Sequence, residues 1–330
     1  MKTFGRVILI IILVIIVGVA GIIGYIKLFK PNVGAAPDLK IEPTTAMIDR
    51  GSYLVNHNAG CIDCHSIRDL TLFAGPAKEG TAGGGGEIFD HHFGLPGTII
   101  SKNITPYGVG KWTDGELFRA ITTGVTKEGK PLFPLMPYME FGRADKQDVY
   151  AVIAYIRTLK PVVNSLPASR YDFPVSIMVN LMPMKASFTT IPASTDTVGY
   201  GGYIANFGGC VDCHTPFIKG KPNMAMVFAG GREFQLPTGG VVRSMNITPD
   251  DSTGIGRWTK EVFLARFAVF SDTVFKPYPV EAGAFNTVMP WIWFSGMTTE
   301  DLGDLFDYLH SLKPIANNVV RFTAGTIKKE

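Results

Sequence analysis

The strongest constraint on this chain is a pentapeptide that occurs twice, Cys61-Ile62-Asp63-Cys64-His65 and Cys210-Val211-Asp212-Cys213-His214, and that uses all four cysteines. On one turn of helix, thiols three residues apart share a face and can anchor the edge of a flat macrocycle. The histidine that follows can turn its imidazole toward an iron as proximal ligand. The pair therefore reads as two covalent attachment sites for haem c, with Cys61, Cys64, Cys210 and Cys213 as thioether sites and His65 and His214 as iron ligands.

Other uses of the thiols account for less of the pattern. A thioredoxin-like pair calls for a βαβ context, which the flanking sequence lacks. An all-thiolate zinc site would leave both histidines without a role. Disulfides closing two-residue gaps would staple almost nothing. Composition agrees with a cofactor-filled fold. Of 330 residues 46% are hydrophobic, enough for real cores, while 37 glycines and 22 prolines favour loops wrapped around a group over long regular elements. A net charge of +3 gives no sign of nucleic-acid binding.

The pentapeptides belong to a longer repeat. Gly51-Ser52-Tyr53-Leu54-Val55-Asn56 returns as Gly201-Gly202-Tyr203-Ile204-Ala205-Asn206, and Asn103-Ile104-Thr105-Pro106 as Asn246-Ile247-Thr248-Pro249. Gly-x-Gly-x-Trp-Thr ends at Thr113 and again at Thr259, Met136-Pro137 returns as Met289-Pro290, and Leu159-Lys160-Pro161 as Leu312-Lys313-Pro314. Each copy predicts a helix before the cysteines (46–57 and 197–207), a middle helix and a last helix (146–159 and 299–312). Thr113 and Glu116 form a capping-box pair for the first middle helix, with Gly124 as its stop. The expected fold is mainly α, a tandem pair of class I-type cytochrome c domains at 46–161 and 194–316. A Pro-rich apolar linker (162–193) joins them, and a tail (317–330) follows.

Residues 7–26 carry no charge and lie between Lys2 and Arg6 on one side and Lys27 and Lys30 on the other. Twenty helical residues cross a hydrocarbon core of ~30 Å. A cleaved signal peptide is the competing reading, although its apolar region is usually about 7–15 residues. The expectation is a retained transmembrane anchor (1–30) with a short tether (31–45). The haem sites would lie on the periplasmic side of the cytoplasmic membrane, because c-type haem is attached outside the cytoplasm. The patch at 173–184 is too short to span a membrane; it reads as a packed crossover, or as a contact with the bilayer or a partner subunit.

Twelve methionines compete for the sixth iron position, and the repeat selects among them. Met136 precedes Leu159 by 23 residues and Met289 precedes Leu312 by 23, whereas Met139 and Met297 have no methionine counterpart. Met136 and Met289 are the expected distal ligands. His57, His91, His92 and His310 are unmatched and read as surface histidines. Trp112 and Trp258, beside the loops of Asn103 and Asn246, are either core aromatics or, together with those asparagines, cofactor-binding partners of haem propionates.

These motifs together resemble the multihaem cytochrome c subunits of membrane-bound alcohol and gluconate dehydrogenases, over about 46–161 and 197–314. The resemblance implies electron transfer from a dehydrogenase subunit to quinone or a terminal oxidase. There are two departures: the family commonly carries three haem sites, and the approach to Met289 (270–288) lacks the Gly-x-x-x-x-Gly-x-x-Leu-x-Pro pattern of 124–134. The leading reading is a membrane-anchored dihaem electron-transfer protein with no catalytic residues of its own. Its redox partners would be a dehydrogenase subunit or respiratory complex and a terminal oxidase or soluble cytochrome. A dihaem peroxidase with one open iron site and a nearby acid–base group, to be sought in the second copy where Glu281 lies close to Met289 in sequence, is the alternative; a haem sensor or structural subunit is the third.

Overall fold

The computed structural model describes residues 2–218 and 220–325, and the fold is mainly α. Helix α1 (Lys2–Phe29) is long and apolar enough to cross a membrane, and none of its apolar window is buried in the protein. Then come α2 (Thr45–Tyr53), capped by Thr44, and α3 (Cys61–Cys64). A π-turn, Leu54–Asn58, connects them. Strands β1 (Ile88–Phe89) and β2 (Gly97–Ile100) follow, then α4 (Pro106–Val109), α5 (Asp114–Thr123), α6 (Tyr138–Phe141) and α7 (Lys146–Thr158). Strand β3 (Arg170–Tyr171) and α8 (Val175–Met178) lead to the second half. That half comprises α9 (Thr197–Phe207), α10 (Cys210–His214), β4 (Phe217–Ile218), β5 (Lys221–Pro222), β6 (Glu233–Gln235) and β7 (Val241–Arg243). It ends with α11 (Lys260–Ala268), α12 (Trp291–Phe294), α13 (Thr299–Ser311) and β8 (Phe322–Thr323).

The expected helices are present. Both hydrogen bonds of the Thr113–Glu116 capping box form, and Gly124 closes α5 at φ 75°. The last helices stop one residue early, because Leu159 and Leu312 turn extended ahead of the Lys-Pro steps. In each half the helix before the cysteines crosses the last helix at backbone contact. A Cβ on Gly51 would lie 1.9 Å from the Ala151 carbonyl oxygen, and one on Gly201 would lie 1.9 Å from that of Asp304. Only glycine allows this approach, and the repeat keeps it in both copies.

The repeat runs past Pro161 and Pro314, where the sequence reading ended it. Asn164 Nδ2 donates to the carbonyls of Gly84 (3.1 Å) and Gly85 (3.3 Å); Asn317 Nδ2 donates to those of Ala229 (2.8 Å) and Gly230 (3.5 Å). Strand β3 then pairs antiparallel with β2, and β8 with β7. The start of the expected linker and the described part of the expected tail are thus equivalent third strands, one per half. Residues 326–330 of that tail lie outside the described residues. The expected tether is also packed: Leu39 and Ile41 lie on the first core, Ile41 N donates to Asp114 Oδ2 (2.9 Å), and the Pro37 carbonyl crosses where a Cβ on Gly115 would be.

The two halves meet about an approximate two-fold axis. Tyr53 donates to Asp301 Oδ2 (2.5 Å), and its counterpart Tyr203 donates to Asp148 Oδ2 (2.7 Å). His57 Nδ1 donates to the Trp293 carbonyl (3.1 Å) from one half; Asn206 Nδ2 donates to the Glu140 carbonyl (3.0 Å) from the other. Each tyrosine–carboxylate bond contributes about 1.5–3 kcal/mol, a sizeable part of the ~5–15 kcal/mol that holds a domain together. Tyr203 and Phe207 of α9 complete the first core. Residues 69–75 also dock on 275–286: Phe73 stacks on Tyr278 at 5.0 Å, and the fully buried Asn286 bonds the backbone of Leu70, Leu72 and Ala74.

The glycines give a discriminating measurement. Gly201→Ala should destabilise the protein by about 1–3 kcal/mol through overpacking. Gly303→Ala, within α13, meets only the Lys260 side chain at 3.6 and 3.9 Å. It should stabilise by up to about 1 kcal/mol through helix propensity. Denaturant unfolding of both variants would read the opposite signs.

Candidate functional site

Each cysteine turn begins on a glycine in the left-handed region, Gly60 at φ 59° and Gly209 at φ 62°. At Gly60 nothing lies within 4 Å of a Cβ, so backbone conformation rather than space requires glycine. The thiols are all free, and the two halves present them alike. Cys61 and Cys210 are half-buried against the first and second cores, whereas Cys64 and Cys213 are exposed. Among the described residues no group of three or more His, Cys, Asp or Glu is placed to hold a metal, so the thiols do not gather into a zinc site.

His65 Nδ1 lies 2.6 Å from the Lys102 carbonyl and His214 Nδ1 lies 2.7 Å from that of Met245. A carbonyl can only accept, so each Nδ1 carries the proton and each Nε2 keeps its lone pair, the tautomer a metal ligand needs. Desolvation by the surrounding protein holds both imidazoles below the ordinary histidine value, which favours the neutral form.

The residue after each accepting carbonyl is the repeated asparagine. Asn103 Oδ1 accepts from Thr105 N (3.0 Å) and Oγ1 (2.6 Å), while its Nδ2 donates to the Val162 carbonyl (2.8 Å). Asn246 does the same with Thr248 (2.9 and 2.8 Å) and the Ile315 carbonyl (2.8 Å), and also donates to Thr253 Oγ1 (3.0 Å). Both amides are buried and engaged within the protein. They fix the loop whose carbonyl fixes the histidine, a link that motif spacing does not reveal.

Met136 and Met289 occupy equivalent straps. Each is half-buried against the core that its half's first cysteine touches. Each carbonyl accepts a 2.8 Å bond from the residue after the proline, and Pro137 (φ −78°, ψ 54°) and Pro290 (φ −77°, ψ 57°) share one conformation. The divergent approach at 270–288 therefore ends in the same strap; its different sequence serves docking of 69–75. Trp112 with Ile104 flanks the first core, and Trp258 with Ile247 the second. In each half a thiol, a methionine, an isoleucine and an indole thus border one apolar core without being buried in it. Together with a histidine that keeps Nε2 open, this donor set fits a covalently attached haem c.

The two cysteine turns face each other across the seam. Asp63 and Arg68 lie close enough to act electrostatically on Cys213, and the Trp293 indole lies beside Asp63. Burial, with Glu140 of the first half adding to it, pushes Asp212 up to about 7. Arg68 is buried between Asp63 (3.6 Å) and Glu87 (3.4 Å). Sequence patterning singles out none of Arg68, Glu87 and Glu140. His91 and His92 are exposed, as expected, whereas His57 and His310 are half-buried. His57 lies in the seam, and the His310 ring lies 4.0 Å from that of Phe306 with Nε2 buried. Glu281 is exposed, and it lies in the docking segment.

The asparagine links can be tested directly. Asn246→Ala should lower stability by roughly 1–3 kcal/mol, because it leaves buried partners unsatisfied. Denaturant midpoints of this variant and of Asn103→Ala should fall together. An unchanged midpoint for both would remove the asparagines from the supporting frame.

No protein-family model matches the chain. Among known proteins it is 30% identical over 298 residues to the cytochrome c subunit of the quinone alcohol dehydrogenase of Gluconacetobacter polyoxogenes, which covers 84% of this chain and 58% of that subunit. It is 31% identical over 249 residues to the fructose dehydrogenase cytochrome subunit of Gluconobacter japonicus, covering 70% of this chain and 46% of the relative. A diheme cytochrome c-type protein of Cereibacter sphaeroides is 28% identical over 166 residues, covering 48% and 53%. The chain thus spans about half the length of the relatives it matches. With two Cys-x-x-Cys-His turns on equivalent frames and relatives of this kind, the chain belongs with the c-type cytochromes and is similar to the cytochrome c subunits of fructose, gluconate and quinone alcohol dehydrogenases.

Proposed function

We propose that this chain is a membrane-anchored dihaem cytochrome c that transfers electrons between a dehydrogenase or respiratory complex and a downstream acceptor, a terminal oxidase or soluble cytochrome. It is built as a tandem pair of class I-type cytochrome c domains. Helix α1 anchors it in the cytoplasmic membrane with both domains on the periplasmic side. When bound, haem c supplies reversible one-electron iron chemistry.

The observation that carries this reading is the equivalence of the two cradles, each pairing an Nδ1-fixed histidine with a methionine strap on one apolar core. Cys61 and Cys64, and Cys210 and Cys213, are the thioether sites. His65 and His214 would hold the haem iron through Nε2, and Met136 and Met289 would supply the thioether ligands that keep water and peroxide from it. Asn103 and Asn246 hold the histidine-bearing loops, and Trp112 and Trp258 wall the cradles. With all four iron ligands supplied by the chain itself, it would carry electrons without catalytic residues of its own.

Two measurements test this. Mass analysis after acid-acetone extraction should show two haems retained on the polypeptide; one, or none, would end the dihaem reading. The ferric protein should be low-spin throughout and should not bind carbon monoxide readily. Met136→Ala and Met289→Ala should each turn one haem partly high-spin and lower its potential, whereas Met139→Ala and Met297→Ala should do neither. A wild-type high-spin haem that reacts with peroxide would favour the peroxidase alternative.

A further inference from the structure

The segment between the halves leaves a group of large apolar side chains uncovered. Phe173 is 79% exposed, Met178 48%, Leu181 52% and Met184 52%. Across residues 173–184 only Val179, at 3%, is buried. A cluster of this kind in water marks a surface that something else covers.

What covers it is indicated by its neighbour. Helix α8 and the 3-10 turn Val179–Leu181 lie against α1. From Thr3 to Phe29 every residue of α1 is exposed except Ile23, Gly24 and Ile26, in its last two turns. If α1 spans the bilayer, those turns sit where the hydrocarbon gives way to headgroups. Tyr25 and Phe29, 5.3 Å apart, and Lys27 are the residue types that mark this depth. The apolar segment is therefore held at the same depth. Exposed Arg170 and Lys185 flank it, a charge sign suited to anionic headgroups; the acidic Asp172 faces His91 at 3.4 Å.

We infer that residues 173–184 form a second membrane contact, inserting Phe173, Met178, Leu181 and Met184 among the lipids beside α1. The inference rests on α1 spanning the membrane. A soluble partner is disfavoured as the occupant, because it would have to enter the headgroup layer to reach side chains held against the end of α1. Such a contact also fixes orientation. Tyr171, just before the patch, stacks on Phe133 of the Met136 strap at 5.9 Å, and Ser187, just after it, bonds the Gly142 carbonyl at 2.8 Å. The first half's methionine side would then face the bilayer.

Nitroxide labels on the full-length haem-loaded chain, in nanodiscs of phosphatidylethanolamine and phosphatidylglycerol, test the inference. Labels would be placed through Phe173→Cys or Leu181→Cys, with Val14→Cys reporting on α1 and the exposed Val274→Cys as a reference. Oxygen collisions should exceed nickel-chelate collisions at 173 and 181, at a shallower depth than at 14, while 274 behaves as in water. A lipid-like signal at 14 with water-like signals at 173 and 181 would overturn the second contact and leave the anchor standing. That outcome is also expected if the patch serves a partner subunit. A water-like signal at 14 would overturn the anchor and the inference with it.

Discussion

Two helices can approach until their backbones touch only where a side chain is missing from one of them. Here that approach occurs at Gly51 against α7 and at Gly201 against α13, with the same 1.9 Å separation between a virtual Cβ and a carbonyl oxygen. The cysteine turn follows ten residues after Gly51, so the crossing fixes where that turn meets the core. The methionine strap ends in the short helix just before α7 or α13, and the same crossing therefore sets the opposite wall. A larger residue at either glycine would push the two walls of a cradle apart. Dispersion contacts inside a packed protein are short-ranged enough that sub-ångström changes of this kind matter.

Much of this was legible in the sequence because a duplication gives each position an internal control. The equal 23-residue spacing singled out Met136 and Met289, and the two straps do share one backbone conformation. Signals that depend on tertiary partners were not legible. The strands are two to four residues long, too short for periodicity to register. Lys160-Pro161-x-x-Asn164 and Lys313-Pro314-x-x-Asn317 extend the repeat in plain sight, but a lone asparagine has meaning only once Gly84 and Ala229 are seen to receive its bonds. His57 differs from its counterpart in meaning only once its bond to the Trp293 carbonyl across the seam is seen.

Where the copies differ, the reason is neighbourhood rather than the cradle itself. The 270–288 stretch abandons the pattern of its counterpart and in exchange receives the 69–75 loop through Tyr278 and Asn286. Arg50 grips Asp148 with two bonds of 2.9 and 2.8 Å, while Asp301, the counterpart of Asp148, takes Tyr53 without an arginine. The second half has Lys260–Asp307 at 2.7 Å where the first has Arg157–Asp114 at 2.9 Å. Two matched cysteine–histidine turns therefore sit in unequal electrostatic surroundings.

The reciprocal tyrosines carry a consequence of another kind. Tyr53 reaches the last helix of the second half, and Tyr203 reaches that of the first, so one repeat unit contains both the donor and the acceptor of the same contact. That self-complementarity is the property of a symmetric dimer interface. A single ancestral unit carrying this tyrosine and this aspartate would have been able to pair with its own twin. Joining two such units in one chain replaces a concentration-dependent encounter with a permanent neighbour. It also releases each half from having to match the other, and the one-sided features of the seam, Arg50, His57 and the loop at 69–75, are the kind that only a fused pair can accumulate.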